Sequence, residues 1–537
     1  MQPEPLISVV TPVYDATADV LGECIDSVRA QRYGNWQLCL VDDCSPSPHV
    51  WPQLAEAMLS DPRIFARRRE VNGGIVAASN DAIAMAQGEI VVFLDHDDML
   101  HPWALQRVAD TFAEYSDVDY VYTDEDLIDP DGHRFSPFYK PDWSPERFRN
   151  QMYCCHLSAV RRDLGDRLGW LRDGFDGAQD WDLILRVTEE ARRIVHIPEV
   201  LYHWRMVPSS VLSGDDVKPY AYEAAARALR GQCERLGIDA EVIELERRGH
   251  FRTKRKVIGE PLVSIVIPTR GSRGTVWGAE RVLVTEAVRS VVERSTWRNF
   301  ELLIVADSST PLDVLADLVD LARERVRIID YDKPFDFSDK CNLGALHARG
   351  EFLLFLNDDT EVIDADWLES LVGLGQEASA GAVGAELLFE DGRIQHVGHL
   401  ALGGNPGHLM FGRSPDADAN RLALWLDREV SGVTAACMLV RREVFDEVGG
   451  FSLDFPGNYN DVDLCHKIRA AGYRIVVTPH ARLHHFESLT RDPQVITSEL
   501  TKLQERWWPE LNRDPYYNPN YGSMYDGYPE PLTYPPG

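Results

Sequence analysis

Two octapeptides in the chain run apolar residues into a cluster of acids: FLDHDDML (Phe93–Leu100) and FLNDDTEV (Phe355–Val362). In the first, Asp95, Asp97 and Asp98 repel one another at close range unless a cation joins them. Oxygen donors suit Mg2+ or Mn2+, and Mg2+ is usually held by one or two carboxylates together with substrate phosphates. A single cluster of this kind reads equally well as a turn with a helix N-cap, since Asp favours both. Its return, each time after a Gly-Glu pair and an apolar strand, favours the metal. In the second copy Asn357 stands at the place of Asp95, while Asp358 and Asp359 remain.

Three more pairs of chemically capable residues recur. His203 and His485 each follow a short β-like run. A lone histidine is more often structural, but matched return gives equal weight to a metal ligand or phosphate contact. His484 is an adjacent competitor. Asp180 in QDWDL and Asp461 in NDVDL open helical segments, where Asp serves as an N-cap or as a general base facing the metal; Asp182 and Asp463 are the fallback candidates. Asp42 and Asp43 follow the second strand, where a carboxylate either makes an Asx turn or accepts the imide N–H of a pyrimidine base. The second copy has Ala306 and Asp307 there, so the first carboxylate is missing.

The elements that must carry these residues are also written twice. PLISVVTPVY at Pro5 returns as PLVSIVIPTR at Pro261, two β-branched runs closing on Pro12 and Pro268. Asn342, Gly350 and Asp359 each lie 262 residues after Asn80, Gly88 and Asp97. Asp461 and His485 follow Asp180 and His203 by 281 and 282, a drift that loop insertions produce. So long a period means duplicated domains, not a solenoid. Helical stretches such as DVLGECIDSVRAQ and VLVTEAVRSVVERS alternate with the strands. The expected fold class is α/β: two domains, each a parallel sheet covered on both faces, with ligands outside the carboxyl ends of the strands. We place the first domain at 1–250, a basic linker at 251–260, the second domain at 261–513 and a Pro/Tyr-rich tail at 514–537. The tail is expected to be irregular and to lie over the second domain or fray.

The chain's 537 residues suit two domains of about 250 residues. A net charge of −31 excludes a nucleic-acid partner, which would want a basic face. The one dense basic run, RTKRKV (Arg252–Val257), is expected to be solvated, with contact to anionic lipid or a lipid-linked diphosphate as the sharper reading. No stretch approaches the roughly 20 apolar residues needed to span a bilayer, and the N-terminal residues lack the features of a signal peptide. Nine scattered cysteines without a CxxC pair suggest a reduced, cytoplasmic compartment.

Together the motifs resemble the family 2 glycosyltransferases of bacterial cell-surface polysaccharide synthesis, over nearly the whole chain and as two tandem copies. PFDFSDKCNLG, FLNDDTEV, AVGAELLFEDGRIQHVG, VTAACMLVRREVFDEVGGF, NDVDLC and DPYYNPN in the second copy look like O-antigen and rhamnan-type transferases. LDHDDML, YTDEDLID, KPDWSPE, QDWDLILRV and LYHWR look like the companion domain. The resemblance implies tandem GT-A folds, Rossmann-like nucleotide halves joined to acceptor halves. It implies Asp97, Asp359, His203 and His485 at Mg2+ or Mn2+, and Asp180 and Asp461 as catalytic bases. Pro12, Asp42, Asp95, Pro268, Asp307, Asn357 and Asp358 would lie along the nucleotide-sugar. The implied reaction is inverting transfer from a nucleotide-diphosphate sugar, UDP- or dTDP-linked by preference, to a glycan or lipid-linked acceptor. Peripheral contact with the inner membrane would follow from such an acceptor. The stretch Gln395–Arg428, with HVGHLALGGNPGH, is expected to shape acceptor choice. Rival readings are one catalytic domain beside a scaffold, and a non-catalytic carbohydrate-binding protein. A nucleotidyltransferase would need a Gly-rich basic loop near the N-terminus, and a dehydrogenase a GxGxxG after the first strand; neither is present.

Overall fold

The computed structural model describes residues 4–206, 219–415, 422–486 and 497–521. The first copy forms a nine-stranded sheet from β1 (Ile7–Val13), β2 (Trp36–Asp42), β3 (Ile64–Arg68), β4 (Ile90–Phe93), β5 (Met99–Leu100), β6 (Val118–Ile128), β7 (Arg134–Phe138), β8 (Ser158–Arg161) and β9 (Arg193–Arg205). Their order is β3-β2-β1-β4-β8-β6-β9-β5, with β7 beside β6. A hairpin of β10 (Ala240–Glu244) and β11 (Phe251–Arg255) follows.

The second copy begins with β12 (Val263–Thr269), a hairpin of β13 (Arg273–Val276) and β14 (Ala279–Val282), then β15 (Phe300–Asp307), β16 (Val326–Tyr331), β17 (Phe352–Leu356) and β18 (Thr360–Val362). It continues through β19 (Ala380–Leu388), β20 (Ile394–His396), a hairpin of β21 (His399–Leu402) and β22 (Asn405–His408), β23 (Arg428–Glu429), β24 (Cys437–Arg441) and β25 (Arg474–His485). The order β16-β15-β12-β17-β24-β19-β25-β18 repeats that of the first sheet, strand for strand. The duplication read from sequence spacing is therefore a duplication of topology.

The expectation of an all-parallel sheet holds for the first part of each domain and for the later pairs β6–β9 and β19–β25, but not throughout. β1, β2, β3 and β4 are parallel neighbours, as are β12, β15, β16 and β17. Beyond them β8 and β24 run antiparallel to both their neighbours. Helix-crossover patterning identifies the parallel part but not the sense of strands joined by long, irregular segments. Burial on both faces follows the pleat: Ile7, Val9 and Val13 enter one core layer and Val10 the opposite one.

The repeated Asn and Gly are structural. Asn80 clamps the backbone of Leu171, and Asn342 clamps that of Phe451, each through both amide atoms. The Gly88 and Gly350 amides donate to Ser8 Oγ and Ser264 Oγ at 2.9 and 2.8 Å. A Cβ at these glycines would lie 2.5 Å from Leu6 O and 2.4 Å from Leu262 O. Because backbone cannot yield as a side chain does, Gly350→Ala is expected to cost about 1–3 kcal/mol. A lower urea midpoint at unchanged slope would show it; an unchanged midpoint would refute it.

The basic run is solvated only in part. Residues 251–255 are β11, and Arg255 is buried between Glu146 of the first domain and Glu377 of the second, at 2.5 and 2.7 Å. Arg252 donates to Ser370, Lys254 pairs with Asp366 and Lys256 with Asp239. Arg255 is therefore out of reach of a lipid, while Lys254 and Lys256 pair at the surface. The tail is irregular and lies over the second domain as expected, but it reaches the first domain as well. Its described part, residues 514–521, packs against both domains: Asn518 Nδ2 donates to Asp124 and to Lys140 O, Asn520 to Pro198 O, and Ala401 N to Asp514. Residues 522–537 lie outside the described residues. All nine cysteines are unpaired thiols. Among the described residues no helix is long and apolar enough to cross a membrane.

Candidate active sites

The strand order explains how distant motifs meet. The acids follow β4 or β17 directly, and the next strand pairs with the end of β9 or β25. That pairing sets Met99 opposite His203 and Thr360 opposite His485. In the second domain the side chains converge. His485 Nε2 lies 3.2 Å from Asp359 Oδ1 and 3.2 Å from the Asn357 side-chain amide. His484 turns away, to Phe389 O and the Trp277 ring. Asp358 accepts a hydrogen bond from Thr269 Oγ1 at 2.7 Å; burial first, then the neighbouring Asp359 charge, push its carboxyl up to about 7.

Asp359, Asn357 and His485 fit a divalent cation. Asp359 Oδ1 is buried and accepts no hydrogen bond. Asn357 stands with Nδ2 toward His485; turned about its last bond it would offer its oxygen, and an amide oxygen, a carboxylate oxygen and an imidazole nitrogen are a donor set that Mn2+ or Mg2+ accepts. In the first domain His203 Nδ1 meets the buried Asp126 at 2.6 Å, with Arg134 on the other Asp126 oxygen. This is the carboxylate–histidine pairing that frees the second ring nitrogen for a metal. Asp97 lends its backbone oxygen to Arg205 at 2.8 Å. Asp98 is structural, buried under Tyr202 OH and the Arg205 amide.

The two pairs of helix-opening acids separate by environment. Asp182 is buried and paired with Arg172 and Arg186; Asp463 is buried and bound to Arg506 and Trp507 Nε1. Asp180 instead lines a cavity with Pro12, Asp95, His156 and Tyr202. Burial pushes its carboxyl up, which favours a base. Asp461 takes amides from Val462 and Ala435 at 2.9 and 3.1 Å and faces His399 Nε2 at 3.9 Å.

At the ends of β2 and β15, Val13 pairs with Asp42 and Thr269 with Ala306, so the missing second-copy carboxylate is a true positional equivalent. Asp42 is fully buried, bonded by Ser45 N and 3.2 Å from Arg68. Asp307 is held by the buried Lys340, 2.7 Å away. Pro12 borders the first cavity, and Pro268 is buried at the matching place.

One group escaped the sequence reading, and a second was read only as part of the stretch Gln395–Arg428. His156 reaches into the first cavity between Asp95 and Glu125, at 3.8 and 3.5 Å, stacked on Tyr202. Glu125 in turn pairs with the buried Lys140 at 3.0 Å. The only signals were the CCH triplet and the acids and lysine of YTDEDLID and KPDW. The second group is His396, His399 and His408, whose ring nitrogens gather beside Asp461.

Comparison with known proteins agrees with this architecture. The chain is 40% identical over 537 residues to the uncharacterized protein y4gI of Sinorhizobium fredii (strain NBRC 101917 / NGR234), covering 97% of this chain and 58% of that protein. It is 38% identical over 523 residues to the O-antigen biosynthesis protein RfbC of Myxococcus xanthus, covering 96% of this chain and 40% of that protein. The chain thus spans about half the length of these relatives. Among solved structures, S. aureus TarS 1-349 in complex with UDP-GlcNAc is 20% identical, with a TM-score of 0.36 over 42% of this chain and 66% of TarS. The model of the family "Glycosyl transferase family 2" matches residues 8–169 and again 264–449, each falling on one of the two sheets, and the chain belongs to that family, with its domain in two tandem copies.

Proposed function

We propose that the chain is a metal-dependent, inverting glycosyltransferase with an active site in each domain. It moves sugars from UDP- or dTDP-sugars to a growing cell-surface glycan or lipid-linked acceptor. The observation that carries this reading is the convergence of Asn357, Asp359 and His485 in the second domain. It is supported by the first-domain cavity shared by Pro12, Asp95 and Asp180. The name of the relative RfbC supports a polysaccharide product. A lipid-linked acceptor would draw the chain to the cytoplasmic face of the membrane.

In this reading Asp359 with His485, and Asp97 with His203, hold Mg2+ or Mn2+. The bound ion would neutralise charge on the departing diphosphate, help worth several kcal/mol in such reactions. Asn357 and Asp95 face the sugar and ribose. Asp461 or Asp180 takes the proton of the acceptor hydroxyl as that oxygen attacks the anomeric carbon, and the sugar–phosphate bond breaks on the opposite side. Base and cation on opposite sides of one carbon require inversion. Loss of the Asp42 equivalent at Ala306 implies that the two domains read their nucleotides differently.

The test is calorimetry and hydrolysis with UDP-, dTDP- and GDP-sugars, with and without Mn2+. Donor binding should need the metal, and His485→Ala should weaken Mn2+ binding to the second domain at least tenfold, as ligand-shell losses do. Metal-independent donor binding would remove the cation from the mechanism. If no nucleotide-sugar binds, the enzyme reading falls and a carbohydrate-binding role takes its place.

A further inference from the structure

His396, His399 and His408 lie within 13 residues of the stretch expected to shape acceptor choice, yet no chemical role is given to them above. The β21–β22 hairpin sets His399 opposite His408, and β20 delivers His396 to the same place. The three rings stand 4.9–5.2 Å apart, each nearly perpendicular to the others. A Cβ at Gly432 would meet His399 Nδ1 at 2.9 Å, so that glycine leaves room for the ring.

Hydrogen bonding assigns the protons. Thr434 N–H donates to His396 Nε2 at 3.1 Å, so the proton of neutral His396 is on Nδ1. His396 Nδ1 lies 2.8 Å from His408 Nδ1, which must therefore accept. His408 then carries its proton on Nε2, a donor with no acceptor among the described residues. His399 is nine-tenths buried; its Nδ1 has no hydrogen-bond partner, and its Nε2 faces Asp461. Burial holds all three rings below the ordinary histidine range, and neighbouring imidazoles press His396 and His408 lower still.

The cluster might be taken for a three-histidine metal centre, but its bonding opposes that. A metal-bound histidine normally donates from its other nitrogen, whereas His396 accepts a backbone N–H there and needs its Nδ1 proton. An anion would meet the Asp461 carboxylate, and Arg428, whose charge reaches His396, gives its Nη2 to Val397 O. What suits neutral donors and acceptors around one carboxylate is a group that both gives and takes hydrogen bonds, and a hydroxyl does.

We infer that His399 and His408, with Asp461, form the acceptor pocket of the second domain and select a neutral, polyhydroxylated sugar. The inference rests on Asp461 being that domain's base. His408 Nε2–H holds an oxygen of the acceptor, and His399 holds a hydroxyl next to the one that Asp461 deprotonates. His396 is a positioning residue: through Thr434 it fixes which face of His408 donates.

The test uses the full chain labelled with 15N-histidine. It is titrated with methyl glycosides of neutral hexoses and 6-deoxyhexoses, and with methyl glucuronide as the anionic comparison. The His399 and His408 signals should move with at least one neutral glycoside and not with the glucuronide. His408→Phe should raise the glycoside Kd about tenfold, the loss of one hydrogen bond, and His408→Gln, which keeps a donor, should recover part of it. The wild-type titration stands even if a variant misfolds. Movement with no neutral glycoside, or with glucuronide alone, overturns the inference. So does an equivalent of zinc in the purified chain that His408→Phe removes. Nucleotide-sugar hydrolysis without glycoside binding defeats the pocket and leaves the proposed function standing. Glycoside binding without any nucleotide-sugar turnover does the reverse.

Discussion

Asp461→Asn lowers transfer by the second domain about 10²–10⁴-fold, and Asp180→Asn does the same for the first, the usual range for loss of a general base. Donor binding should survive both changes, because neither residue is among the proposed metal ligands. The variants are close to isosteric. In Asp461→Asn, however, only one of the two amide contacts, from Val462 or Ala435, keeps an acceptor, so a small loss of stability accompanies the loss of rate. Asp463→Asn and Asp182→Asn are the informative contrasts. Their buried carboxylates, two residues further along the same helices, pair with Arg506 and with Arg172 and Arg186. They should lower the unfolding midpoint while leaving turnover per folded molecule close to wild type. Product linkage analysis then decides between two sites and one. If each base variant removes a different linkage, both domains catalyse; if Asp180→Asn changes nothing, the first domain is a scaffold. If neither variant changes turnover, the assignment of the bases is wrong.

Arg255→Met is expected to destabilise the chain by about 3–5 kcal/mol, the cost of leaving buried charge without its partner. Arg255 sits in a buried network of three guanidiniums and three carboxylates: Arg149, Arg255 and Arg474 with Glu146, Glu377 and Glu429. Glu146 and Arg149 belong to the first domain, and Glu377, Glu429 and Arg474 to the second. Burial alone would raise the Glu377 pKa, but the surrounding guanidiniums outweigh it and hold it at about 2. Glu429 also accepts from Ser144 Oγ and Glu146 N, extending the contact between domains. Removing Arg255 leaves Glu146 and Glu377 facing each other with one countercharge fewer. Urea unfolding should therefore show a lowered midpoint, or a split into two transitions if the domains uncouple. The double change Arg255→Met with Glu146→Gln should recover part of the loss, because it restores charge balance. A single-variant loss below about 1 kcal/mol, typical of an exposed pair, would show that the network is solvated in solution.

Periodicity and repeat spacing were enough to read the duplicated α/β domains, because a strand's burial and a helix's stripe are local properties of the chain. The matched Asn, Gly and Asp positions were legible for the same reason: each recurs at a fixed offset inside one uninterrupted helix–strand–turn unit. The sense of β8 and β24 was not legible, since long irregular connections carry no sign of direction. Nor was the fate of the basic run. Six neighbouring residues look solvated until residues more than 100 positions away, Glu146 and Glu377, bring carboxylates to Arg255.

The candidate sites divide in the same way. The sequence by itself determined which residue types recur: the acids after β4 and β17, the helix-opening Asp180 and Asp461, and the histidines ending β9 and β25. Only the tertiary structure decided which of two near neighbours faces the site. Asp180 borders a cavity while Asp182 is consumed by arginines, and His485 meets Asp359 while His484 turns to Phe389. Adjacent side chains on a strand point to opposite faces, and two residues along a helix turn by more than a right angle. Spacing therefore names the segment, and the partner arriving from another strand chooses the residue. His156 belongs wholly to that second kind, because its partners come from segments that no local pattern connects, whereas for the three histidines the stretch was legible and only their meeting with Asp461 was not.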